Sequence, residues 1–136
     1  MGAWGATLFE DDASLDWLDG DYAASGASAV ASALDKAANC PVTEYLEVDD
    51  GAAALMAGEV VATAHGDMPD EISQDMLERL NAHGSAVRDL PDGKMRARKA
   101  LERVISDNSE LHELWAESDD QADWVASVND LRRRLA

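Results

Sequence analysis

Apolar side chains recur along most of this chain at the three- and four-residue steps of an α-helix, and turn signals divide it into seven helical segments. The opening nine residues set Gly2 and Gly5 around Trp4. They read as an ordered loop, because glycine disfavours helix initiation while Trp4 and Phe9 are large groups that seek burial. Asp11 or Asp12 caps a first helix to about Tyr22, with Leu15, Leu18 and Tyr22 on one face. Gly26 breaks it. A second helix spans about 27–39 with Val30 and Leu34 inward, and Pro41 ends it. The segment 42–48 reads as loop with room for a short extended piece.

The third helix, about 51–65, is capped by Asp49 or Asp50 and closed by Gly66. It has apolar or small residues all round and is therefore expected at the centre. Pro69 and Asp70 open a fourth helix to about His83, with Ile72, Met76, Leu77 and Leu80 inward and Gly84 as the stop. A fifth, about 93–107, turns Ala97, Leu101, Val104 and Ile105 inward. Ser109 caps a sixth, about 110–117, with Leu111, Leu114 and Trp115. A seventh, begun by Asp119 or Asp120, repeats Trp124, Val128, Leu131 and Leu135 at helical spacing. The expectation is an all-α fold, one globular domain over 1–136, with the third helix central.

Composition supports this and narrows the function. Apolar residues make up 46% and aromatic residues 5%, a balance suited to close-packed helices rather than a β-sandwich. The lone Cys40 rules out an intramolecular disulfide and reads as a small buried hydrophobe. The longest apolar stretch, 52–64, is too short to span a membrane and is interrupted by Glu59. No signal peptide is visible, and a cytoplasmic protein is expected.

Charge is the outstanding property. Formal net charge is −17, and residues 1–90 carry −15 of it against −2 for 91–136. Such a surface repels nucleic acid and anionic membranes, and attracts a basic protein partner. A homo-oligomer is compatible with the sequence. The excess of Asp over Glu, with Lys scarce, also suits a high-salt cytoplasm.

Possible chemistry is sparse. His112-Glu113 begins like a zinc-protease motif but has Ala116 where the second histidine belongs. Asp12, Asp16 and Asp19 share a face without the spacing of a calcium loop, and read as a solvated stripe. His65 and His83 each end a helix and are explained by the helix dipole, as are Arg132, Arg133 and Arg134. Arg96, Lys99 and Arg103 form a stripe expected to pair with the acidic N-terminal portion. Glu59 is the most distinctive residue, a carboxylate on a helix with no polar side. It needs hydrogen bonds from an indole, from the N-terminal loop or from an arginine such as Arg103. The alternative is an acid or base in a pocket, with no nucleophile or second acid visible to complete a mechanism. No cofactor is expected.

Several stretches together resemble a known family. They are Met1-Gly-Ala-Trp-Gly5, Phe9-Glu-Asp-Asp12, Asp16-Trp17, Tyr45-Leu46, Glu59-Val-Val-Ala62, Ala100-Leu-Glu-Arg-Val104, Ser109-Glu-Leu111, Leu114-Trp115, Trp124 and Asp130-Leu131. The chain resembles the bacterial family catalogued as domain of unknown function 4259, over nearly its whole length. Ala6 and Thr7 stand where a more glycine-rich continuation is expected. The family has no established activity, so the resemblance implies no catalytic residue. It implies that Trp4, Phe9, Asp12, Trp17, Glu59, Glu110 and Trp115 belong to one structural arrangement.

The functional expectation is a small interaction protein, a binder or inhibitor of a basic partner. The alternative is an enzyme or ligand-binding protein with a pocket around Glu59 and the Trp4 loop. Candidate buried polar or pocket residues are Glu59, Trp4, Trp17, Asp12, Arg103 and Trp115.

Overall fold

The computed structural model describes residues 12–69, 72–117, 119 and 121–136. The expected N-terminal loop with Trp4 and Phe9 lies outside them, as do Asp70 and the side chain of Asp12. Among the described residues the chain is helical, with no β-strand beyond a single parallel bridge between Leu46 and Ser109. That bridge is the short extended piece for which 42–48 left room.

The first helix starts at α1 (Asp12–Trp17), widens into a π-helical turn at Leu18–Tyr22 and finishes as α2 (Ala23–Ser25). In the π turn the Ala23 N–H reaches back to Leu18 O, a five-residue step. That step brings Trp17 over Tyr22, with ring centroids 5.7 Å apart and planes 17° from parallel. Exposed Gly20 lies inside the turn, where its weak helix propensity makes the distortion cheap. Gly26 ends the rod at φ +59, a conformation that favours glycine, and the His83 ring packs where a Cβ would stand.

The core is built from three helices. They are α3 (Ala27–Ala38), α4 (Val48–Ala64) and α7 (Gly93–Val104), each packed on the other two. Every residue of α4 from Ala54 to Thr63 is buried, as expected for the central helix. Its small residues admit neighbours closely: Leu111 packs over Gly51, and Leu131 and Leu135 over Gly58. These leucines come from α8 (Glu110–Ala116) and from α9 (Gln121–Arg134) with the residue after it. Trp124, Val128, Leu131 and Leu135 are all buried, as their spacing predicts.

Two boundaries differ from expectation. The central helix begins at Val48, three residues early, and neither Asp49 nor Asp50 caps it. Its first N–H, on Val48, donates instead to Glu110 Oε1 of α8 at 2.9 Å. A cap supplied from 62 residues away leaves no local signal. The fourth helix is shorter than expected. Ser73 caps α5 (Gln74–Leu80), its hydroxyl accepting from Met76 N–H at 3.1 Å. Gly84 then opens a further turn, α6 (Gly84–Arg88), instead of stopping the chain. The turn between them is held by Tyr22, whose hydroxyl donates to Leu80 O at 2.6 Å and accepts from His83 N–H at 3.0 Å.

Candidate functional site

Glu59 lies in the middle of α4 with no exposed surface. A carboxylate there is tolerable only with strong partners. The principal one is Arg134, in the last turn of α9. Its Nη1 and Nη2 donate to Glu59 Oε1 and Oε2 at 2.8 and 2.9 Å, a two-point contact. Arg134 Nε donates to Asp130 Oδ2 at 2.8 Å, one turn back, and Nη1 also reaches Asp67 O at 3.2 Å. One buried guanidinium thus joins α4, α9 and the turn after α4.

Burial pushes the Glu59 carboxyl above the usual carboxylate range, against the opposing pull of Arg134. Asp130 shifts the other way. Burial acts to raise it, but hydrogen bonds and charge from Arg134 and Arg133 prevail and hold it low.

Arg103 does not pair with Glu59, contrary to one of the partners expected for that carboxylate. It is buried and binds backbone carbonyls. Nε donates to Cys40 O at 2.7 Å, Nη1 to Asp107 O at 3.0 Å, and Nη2 to Glu44 O at 2.8 Å and Asn108 O at 3.2 Å. It ties the loop after α3 to the loop before α8. The stripe of Arg96, Lys99 and Arg103 therefore splits. Arg96 pairs with Asp35 as expected for the N-terminal portion, with Nη2 2.6 Å from Oδ2, while Arg103 turns inward.

The triple arginine is likewise more than a dipole device, since each residue binds a carboxylate, with Asp130 shared between Arg133 and Arg134. Arg132 binds Glu102 at 2.8 Å, Arg133 binds Asp130, and Arg134 binds Glu59.

The remaining candidates are dispersed. Trp17 is buried under its stack with Tyr22 and forms part of the wall of a cavity of about 330 Å³, with Asp21, Ser28, Ser32, Lys36 and Asp50. Neither Glu59, Arg103 nor Trp115 lines that cavity. Trp115 is half-buried and stacks on Trp124 at 6.0 Å, with planes 6° from parallel. His112 is half-buried with its ring 5.9 Å from Trp124. Trp4 and the Asp12 side chain lie outside the described residues. No group of three or more His, Cys, Asp or Glu side chains among the described residues is arranged to hold a metal ion.

Cations on this chain are largely engaged from within. Lys36 pairs with Asp50, Arg79 with Asp19, Lys94 with Asp67 and Arg96 with Asp35, in addition to the three C-terminal arginines. Arg98 donates to Leu135 O and Arg103 to the carbonyls above. Against these, Asp16, Asp21, Glu44, Glu47, Asp49, Glu78 and Asp89 are exposed with no cation partner among the described residues.

The family model described as domain of unknown function (DUF4259) matches residues 2–127. The chain belongs to the DUF4259 family. No curated protein and no solved structure matches it. The DUF4259 match takes in Glu59, Arg103 and the Val48–Glu110 contact, and ends before Arg134. The arginine that neutralises the buried carboxylate thus comes from beyond the matched segment. No sequence signal marked it, because the dipole accounted for all three C-terminal arginines alike.

Proposed function

We propose that this DUF4259 chain is a bacterial, cytoplasmic interaction protein that binds, or inhibits by binding, a basic protein partner. One observation carries the reading: the chain's cations are mostly turned onto its own carboxylates and carbonyls, and a surplus of carboxylates faces outward. Such a surface steers a cationic partner and fends off polyanions. Among the described residues no helix is long and apolar enough to cross a membrane. A pocket built on Glu59 draws no support from a carboxylate with no exposed surface and a guanidinium on both oxygens.

Affinity capture at low salt tests the reading. It should recover a basic protein that high salt releases. Recovery of the same proteins by an unrelated chain of equal net charge would count against it.

A further inference from the structure

A basic partner needs a place to dock, and one end of the molecule differs from the rest. Residues 42–47 run beside 108–110. Leu46 N–H donates to Asn108 O at 2.8 Å, and Glu110 N–H to Leu46 O at 2.9 Å. The Tyr45 hydroxyl donates to Glu113 Oε1 at 3.0 Å, which sets the ring against α8. Leu114, next along α8, is 51% exposed. Tyr45 is 50% and Val42 54% exposed. Exposed apolar residues are ordinary when scattered, whereas these three lie on adjoining segments.

The rim of this face is predominantly acidic, with Lys36 reaching it only at Asp50. Residues 42–50 and 107–119 contain no Lys or Arg. Arg103, beneath them, points its guanidinium at backbone carbonyls and leaves the carboxylates of Glu44, Glu47 and Glu113 without a cation. A second copy of this chain would bring the same carboxylates face to face, and a nucleic acid would add more negative charge. Charge complementarity leaves a cationic occupant, and the apolar centre asks for one with an apolar face of its own.

We propose that the Tyr45–Leu114 face docks a basic amphipathic segment of a partner protein. Its apolar side chains lie on Tyr45 and Leu114, and its Lys or Arg residues among Glu44, Glu47 and Glu113. This rests on the basic-partner reading above and adds the place and the pattern.

The test uses the full chain, isotopically labelled, titrated at low salt with two synthetic peptides of identical Lys/Leu composition. One is patterned as an amphipathic helix, and in the other the leucines share no face. The patterned peptide should bind roughly tenfold more tightly, the scale expected for burying about half a leucine and part of a tyrosine. Shifts should concentrate at 42–47 and 110–117. Tyr45→Ser with Leu114→Ser, both exposed and so harmless to folding, should abolish the preference. Glu78→Gln with Asp89→Asn, elsewhere on the surface, should preserve it. If the preference survives in the Tyr45→Ser/Leu114→Ser variant, or the shifts spread over α1, α5 and α7, the docking face is wrong while the charge reading stands. If neither peptide binds, both are overturned.

Discussion

Arg134 grips both carboxylate oxygens of Glu59, at 2.8 and 2.9 Å, across 75 residues of sequence and with both side chains buried. The contact fastens the last turn of the chain to the middle of the central helix. A buried pair of this kind is a weak source of net stability, yet breaking it by removing one partner strands the other.

Arg134→Met should therefore lower stability by about 3–5 kcal/mol, read from urea denaturation, because it takes the two-point guanidinium contact away from a buried carboxylate. Glu59→Met combined with Arg134→Met should recover much of that loss. A loss in the double variant equal to the sum of the losses in Glu59→Met and Arg134→Met alone would show that the pair is not coupled.

The two carboxylates held by Arg134 respond oppositely to pH. Asp130 has a folded-state pKa below its ordinary 3.8, so its contribution is present above that value and is lost as pH falls through the lowered pKa. Glu59 has a folded-state pKa above its ordinary 4.5, so its contribution favours folding at low pH and is lost as pH rises through the raised value. Asp130→Asn should flatten the acid limb of a stability–pH curve, and Glu59→Gln should remove the decline on the other side. An unchanged acid limb in Asp130→Asn would contradict the assignment.

Arg103→Lys keeps the charge but cannot span the carbonyls of Cys40, Glu44, Asp107 and Asn108 together. A loss of about 2–3 kcal/mol is expected, with faster amide exchange at Leu46 and Glu110, whose N–H groups bridge the same loops. Thermal melting and hydrogen exchange read both, and a wild-type melting point would show that the carbonyl cluster holds nothing in place.

Glu110→Ala removes the acceptor for the first N–H of the central helix. A loss of about 1 kcal/mol is expected, the usual scale for a helix cap, with early exchange at Val48. Glu110→Gln retains an acceptor oxygen and should fall between. Unchanged protection at Val48 in Glu110→Ala would remove Glu110 from the capping role.

These contacts mark where reading the sequence stops. The central helix was legible because its apolar and small residues admit no outward face, and the last helix because Trp124, Val128, Leu131 and Leu135 keep step. The need of Glu59 for a strong partner was also legible, from the expense of burying a carboxylate. Its partner was not. Any of eight arginines could have served, and only tertiary geometry selects Arg134 over Arg103. The start of α4 and the split after α5 leave no local signal for the same reason: Glu110 and Tyr22 supply their hydrogen bonds from distant segments. The π turn at Leu18–Tyr22 has no periodicity of its own over five residues.

The account of function turns on the outward carboxylates, and capture across a salt series beside an unrelated protein of equal net charge tests it most directly. The expected result is a basic protein held by this chain alone at low salt and released progressively as salt rises. An identical set of captured proteins on the charge-matched chain, or a partner indifferent to salt, would contradict it.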